Sequence, residues 1–224
     1  GGLGTRLRSV VSGQPKVLAK VNGRPFMAYL LDQLSQAGVK KVVLCTGYLG
    51  EQVKTTFGKS YNGLALSYSQ EQSALGTGGA LRIALPLLKS EPVLVLNGDS
   101  FCQANFIYFL NQHITRKATA SLLLTEVPDI GRYGSVQLSM DGKIISFEEK
   151  EKKTGTGLIN TGVYLLNQTF LESIPKNTNV SLEHEMFPSW INKGLYGFRS
   201  KGNFIDIGIP QDYAAAGGFF KNSG

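Results

Sequence analysis

Five short groups of residues in this chain have the types and spacing to act on phosphates. The first is Gly1-Gly2-Leu3-Gly4-Thr5-Arg6-Leu7-Arg8, with Pro15-Lys16 close behind. Glycine tolerates positive φ and has no Cβ to keep a ligand at a distance. A loop of this composition can therefore turn its backbone N–H groups inward around a phosphate, with cations nearby. Two related templates fail. A dinucleotide fingerprint needs glycine at Leu7, and a P-loop ending in Gly58-Lys59-Ser60 needs glycine at Val53. The other groups are Asn97-Gly98-Asp99, Glu148-Glu149-Lys150, Asn160-Thr161-Gly162 and Asp206-Ile207-Gly208. Asp99 closes the apolar run Val93–Leu96, and in α/β sheets ligands bind beyond the carboxyl ends of the strands. Taken singly, an Asp in such a turn is more often a capping residue.

These groups need elements to hold them. Phe26, Tyr29, Leu30, Leu34 and Ala37 recur at helical spacing between Pro25 and Gly38, and the run Val42-Val43-Leu44 within residues 39–45 reads as a strand buried on both faces. A short helix is expected over residues 50–54 and a strand over 64–68. A second glycine-rich turn, residues 70–80 with Gly76-Thr77-Gly78-Gly79, leads into a helix at about 79–88 and then the strand 93–96. A helix over 104–116 and a strand over 118–125 continue the alternation. It predicts a Rossmann-like α/β fold, a mostly parallel, mixed sheet flanked by helices. Beyond Val127 the glycines and Pro128 separate short strands at 135–138 and 143–148, a small antiparallel excursion. A strand over 157–166, helices near 169–173 and 182–191, strands at 195–199 and 203–206 and a helix after Pro210 complete one domain over residues 1–224. A phosphate loop normally follows a buried strand, so a hydrophobic first strand is expected upstream of Gly1.

At 224 residues, 42% hydrophobic and 17% charged, the chain has an ordinary globular composition. No apolar run reaches the roughly 18 to 20 residues of a membrane span. Cys45 and Cys102 are expected as reduced, mostly buried thiols of a cytoplasmic protein. The net charge of +7 is spread along the chain, clustering only at residues 150–153, without the basic and aromatic stripe of a nucleic-acid binder. Small phosphorylated ligands fit that distribution better. Neither His113 nor His184 pairs with a nucleophile, and both are expected to be structural.

In order and spacing, the five groups resemble the sugar-1-phosphate nucleotidyltransferases over essentially the whole chain. Gly76-Thr77-Gly78-Gly79-Ala80, Leu96-Asn97-Gly98-Asp99, residues 157–164 and Phe204-Ile205-Asp206-Ile207-Gly208 are most similar to the D-glycero-α-D-manno-heptose 1-phosphate guanylyltransferases. N-acetylmuramate-1-phosphate uridylyltransferases and mannose-1-phosphate guanylyltransferases carry similar wording. The resemblance implies a glycosyltransferase-A-like fold and a Mg²⁺-dependent reaction in which a sugar 1-phosphate attacks the α-phosphorus of an NTP, GTP in the favoured case.

It also implies roles. Gly2, Leu3, Gly4, Thr5, Arg6 and Lys16 would bind the triphosphate, with Gln70, Gly76, Thr77 and Gly98 completing the nucleotide side. Gly79, Asn97, Glu149, Lys150, Asn160 and Gly162 would take the sugar phosphate. Asp99 and Asp206 would hold the metal, and Arg6, Lys16, Asp99, Lys150 and Asp206 would form the catalytic set. Val17 and Glu151 stand where many relatives have proline, which alters loop rigidity and removes none of these charges. A monomer or small homo-oligomer is expected, since no hexapeptide-repeat tract is present. A regulatory subunit that only binds nucleotide-sugars is the non-enzyme alternative, and retention of all five catalytic residues counts against it.

Overall fold

The computed structural model describes residues 13–148 and 154–221. The short strands β1 (Lys20–Val21) and β2 (Arg24–Pro25) form a hairpin whose turn residues Asn22 and Gly23 both have positive φ, as a type I′ turn requires. Helix α1 (Phe26–Gln36) buries Phe26, Met27, Leu30, Leu31 and Leu34, and Gly38 ends it at φ +81°. Strand β3 (Lys41–Thr46) leads through α2 (Gly50–Phe57) and β4 (Ser60–Tyr61) to β5 (Leu64–Gln70), parallel to β3. Then come α3 (Gly76–Ala84), β6 (Val93–Leu96), β7 (Ser100–Cys102) and α4 (Phe106–Thr115), the last capped by the Asn105 side chain on the Tyr108 N–H.

The second half contains β8 (Ala120–Val127), the antiparallel pair β9 (Ser135–Leu138) and β10 (Ile144–Glu148), and the long β11 (Gly157–Leu166). Helices α5 (Gln168–Ser173) and α6 (Phe187–Ser189), strands β12 (Leu195–Ser200) and β13 (Phe204–Asp206), and helix α7 (Pro210–Lys221) follow.

The main sheet has the order β10-β9-β11-β8-β12, with β6 also paired to β11. Among the described residues, β3–β5 and β8–β12 are the parallel ladders. Strand β11 returns from the hairpin excursion and inserts antiparallel between β6 and β8, so the sheet is mixed. One core lies under α3 and α5 around Leu122, Leu124, Tyr164 and Phe170, and a second under α1, α2 and α4 around Leu31, Leu66 and Phe109. A third seats α7 on β7 and β13 through Phe101, Ile205 and the stacked pair Tyr29–Phe220. Burying such side chains contributes about 1.5–3 kcal/mol each, which outweighs the roughly 1 kcal/mol that Gly217 and Gly218 each cost the helix relative to alanine.

Several local expectations shift. Val42 to Cys45 are half-buried rather than enclosed on both faces, because among the described residues β3 pairs with β5 alone and its side chains line a cleft. Helix α3 starts at Gly76, earlier than expected, where the backbone pairs Val180 N–H to Leu75 O and Gly78 N–H to Val180 O settle its first turn. The expected helix over 182–191 is instead a π-helical turn, Leu182–Met186, followed by the short α6, which contains Pro188. Residues 100–102 form a strand that their short run did not reveal. His113 is structural, as expected: its ring bonds Ser121 Oγ at 2.7 Å and Asn167 Oδ1 at 2.9 Å, and burial lowers its pKa.

Candidate active site

The pairing of β7 with β13 builds the centre of the site. It sets Asp206 opposite Ser100, and the Ile207 N–H donates to the Asp99 carbonyl at 2.9 Å, so two carboxylates 107 positions apart in the chain become neighbours. Lys16, at the start of a 3₁₀ turn introduced by Pro15, reaches across and donates from Nζ to Asp99 Oδ2 at 2.8 Å. Asp206 is the more enclosed carboxylate. Burial, followed by the charge of Asp99, pushes its pKa up, while Lys16 and the Gly208 N–H, 2.6 Å from Oδ1, pull it down. Gly98 makes room for this arrangement, since a Cβ there would lie 3.0 Å from Val17 Cγ1.

A bulge in β11 forms the adjoining wall. Between Asn160 and Tyr164 this strand advances four residues against two on β8, and the extra length swings Gly162 toward β6. The Asn97 N–H donates to Gly162 O at 2.7 Å, and the Asn160 Oδ1 accepts from Gly162 N at 2.9 Å. Ser100 Oγ donates to Thr161 O at 2.9 Å and ties the bulge to β7. Gly162 has φ +78°, and a Cβ there would sit 2.7 Å from Ser100 Oγ and 2.8 Å from Asn97 Cβ.

Gly162→Ala is therefore expected to cost about 1–3 kcal/mol of stability and to lower turnover more than about tenfold. Gly63→Ala, at φ +82° in open space, should carry the backbone strain alone and keep full activity. Denaturant melts and pyrophosphate release measured on both variants check this. Equal activity loss in the two would show that the bulge does not shape the site.

A cleft of about 1950 Å³ brings together Lys16, Gly76, Thr77, Asn97, Gly98, Asp99, Asn160, Gly162 and Asp206. Two other expected residues sit elsewhere. Gln70 is exposed at the end of β5, opposite Thr46 in the ladder, away from the cleft lining. Gly79 is buried, and a Cβ there would meet Leu75 Cβ at 2.6 Å and the Thr178 carbonyl at 2.8 Å, so its place is a close-packing position rather than the cleft wall. Gly2, Leu3, Gly4, Thr5 and Arg6, like Glu149 and Lys150, lie outside the described residues.

The structure also brings in residues outside the expected site set. Tyr133 lines the cleft edge-on to Phe204, and the neighbouring Arg132 pairs with Asp212 of α7, fastening the excursion to the helix behind Asp206. Tyr164 and Glu183 connect the two ends of the cleft. The Ser181 hydroxyl caps the Glu183 and His184 N–H groups at the start of the turn that replaces the expected helix, and the distant partners of Glu183 left no local signal in the sequence.

Two carboxylates at strand ends and a lysine from a 3₁₀ turn, with glycines that let a backbone come close, make an arrangement able to hold polyanionic phosphates together, as a nucleotidyltransferase must. The chain belongs to the nucleotidyl transferase family, which it matches over residues 1–223. It is 40% identical over 217 residues to the D-glycero-α-D-manno-heptose 1-phosphate guanylyltransferase of Aneurinibacillus thermoaerophilus, covering 96% of this chain and 94% of that one. The mannose-1-phosphate guanylyltransferase of Mycobacterium tuberculosis is 32% identical over 217 residues, 95% of this chain and 60% of the relative. The crystal structure of HddC from Yersinia pseudotuberculosis complexed with GMP-PN has the same fold, with a TM-score of 0.87 at 32% identity, covering 98% of this chain and 96% of that one.

Proposed function

We propose that this nucleotidyltransferase moves the GMP unit of GTP onto D-glycero-α-D-manno-heptose 1-phosphate, giving the GDP-sugar and pyrophosphate. The observation that carries the chemistry is the convergence of Lys16, Asp99 and Asp206 at one end of the cleft. Similarity along nearly the full length of a heptose 1-phosphate guanylyltransferase supports the choice of base and sugar. In the reaction a phosphate oxygen of the sugar forms a bond to the α-phosphorus as the bond to the β-phosphate bridging oxygen breaks, and pyrophosphate leaves. The attacking group is already an anion, so no side chain has to remove a proton. What the protein supplies is positive charge and in-line placement of two polyanions.

Lys16 supplies charge on the triphosphate side, and Arg6 with the backbone of Gly2, Leu3, Gly4 and Thr5 is proposed to complete that cradle. Asp99 and Asp206 fit a Mg²⁺ ion, which takes one or two carboxylates together with phosphate oxygens and water rather than a full protein cage. Two close carboxylates, one of them with a raised pKa, are a donor set whose repulsion a divalent cation relieves. When bound, the metal would offset charge developing on the phosphates. Asn97, Asn160 and Gly162 form the sugar wall, and Glu149 and Lys150 are assigned to the sugar phosphate. Gly76 and Thr77, which line the cleft, are assigned to the nucleoside end.

We further propose a cytoplasmic enzyme, acting as a monomer or small homo-oligomer through a single domain. Among the described residues no helix is long and apolar enough to cross a membrane.

A matrix of GTP, UTP, ATP, CTP and dTTP against heptose, mannose and N-acetylmuramate 1-phosphates, read by pyrophosphate release, tests the assignment. GTP with the heptose 1-phosphate should exceed every other pair in kcat/KM by at least about tenfold, a margin of roughly 1.4 kcal/mol. A preference for mannose 1-phosphate, or for UTP with N-acetylmuramate 1-phosphate, would replace it. Binding of nucleotide-sugars without turnover of any pair would indicate a regulatory subunit.

A further inference from the structure

One carboxylate outside the metal pair and the sugar wall touches both ends of the cleft. Glu183 lies in the π-helical turn Leu182–Met186, a local geometry often found at functional sites. Its Oε2 accepts from the Thr77 hydroxyl at 2.7 Å and from the Ser181 hydroxyl at 3.0 Å. Its Oε1 accepts from the Tyr164 hydroxyl at 3.1 Å. Thr77 belongs to the turn at the nucleoside end, where its hydroxyl also accepts the Leu182 N–H at 2.8 Å. Tyr164 is fully buried on β11, packs on Phe187 and accepts from Asn160 Nδ2 at 2.9 Å. The Asn160 Oδ1 in turn holds the Gly162 N–H of the bulge.

We propose that Glu183 is a positioning residue that couples the nucleoside turn to the sugar wall, so that ordering one substrate site preorganises the other. The inference rests on the two-substrate reading of the cleft. An unbroken hydrogen-bonded path runs from Thr77 through Glu183 and Tyr164 to Asn160 and Gly162, and every donor along it has one acceptor that suits it. The Tyr164 hydroxyl keeps its proton, since burial, followed by the charge of Glu183, raises its pKa well above the ordinary value. It therefore donates to Glu183 and leaves its lone pairs for Asn160, which fixes which way the Asn160 amide points. Neither Thr77 nor Asn160 is within two residues of the other's element, so without Glu183 and Tyr164 nothing on this path links them.

A purely structural Glu183 would lower stability without making the two substrates sense each other's site. The test is a set of cycles with the pair that the wild-type enzyme turns over best, so a different preferred sugar would overturn the heptose assignment and leave this inference open to its own result. Thr77→Val should raise the KM for the sugar 1-phosphate as well as for the NTP, and Tyr164→Phe should raise the KM for the NTP as well as for the sugar, each by about fivefold to tenfold. In a Glu183→Ala background both cross-effects should shrink to less than about twofold. Glu183→Gln, which keeps the reach but only one accepting oxygen, should lie between. If Thr77→Val and Tyr164→Phe each shift only their own substrate in the wild-type background, the coupling does not exist.

A second measurement needs neither turnover nor a stable Glu183→Ala protein. Amide hydrogen exchange at Gly162 should speed up by about tenfold in Thr77→Val, although that substitution is at the other end of the path. Unchanged exchange at Gly162 would overturn the proposal.

Discussion

Asp206→Asn should lower pyrophosphate release by about a thousandfold or more while leaving the melting temperature unchanged or higher. The two halves of that expectation come from the same geometry. Asp206 is half-buried, and burial followed by the charge of Asp99 raises its pKa, so its ionised form is held at a cost to the fold. Asparagine keeps an oxygen for the Gly208 N–H, now at 2.6 Å, and removes both the buried charge and the repulsion. A substitution that only damaged packing would lower activity and stability together. Losing activity while gaining stability identifies a charge kept for function. Steady-state pyrophosphate release and a thermal melt on one preparation decide the matter, and turnover within about tenfold of wild type would reject the metal-holding role of Asp206.

Lys16→Met is expected to reduce kcat/KM by about a hundredfold to a thousandfold, with the larger share in the KM for the NTP. Lys16 is the cation that the described residues place against the carboxylate pair, with its side chain 16% exposed beside an Asp99 that is 43% exposed. An ion pair this open to water contributes at most about 1 kcal/mol to stability, so the variant should melt within a few degrees of wild type. Methionine retains the length of the aliphatic stem and removes the charge. Lys16→Arg should recover part of the loss, because the charge returns on a wider, planar group where a compact ammonium fits between Asp99 and phosphate. Unchanged NTP affinity in Lys16→Met would mean that Lys16 serves Asp99 alone.

How far the site was legible depends on whether each residue acts alone or through a distant partner. Asn97, Gly98 and Asp99 end a run of four apolar residues, and the strand β6 and its turn are where that local pattern puts them. The family resemblance marks Gly162 as a sugar-pocket glycine, but the approach of Ser100 and Asn97 that its missing Cβ permits involves residues 62 and 65 positions away in sequence. Gly79 shows the converse. It sits in a glycine-rich turn that reads as ligand-binding, yet its missing Cβ makes room for the Thr178 carbonyl. Composition cannot tell a glycine that admits a ligand from one that admits another segment of the chain.

The sequence by itself determined the alternation of helices and strands and the family to which the chain belongs, and the resemblance to that family singled out Lys16, Asp99 and Asp206, because charge, turn chemistry and hydrophobic period are local properties written in adjacent residues. The tertiary structure decided the mixed order of the sheet, the bulge that brings Gly162 to Asn97, the nearness of Asp99 to Asp206, and the link from Thr77 through Glu183 to Tyr164. Each of those depends on which strand lies beside which, and strand pairing is settled by burial and hydrogen bonding summed over the whole sheet rather than by any one segment.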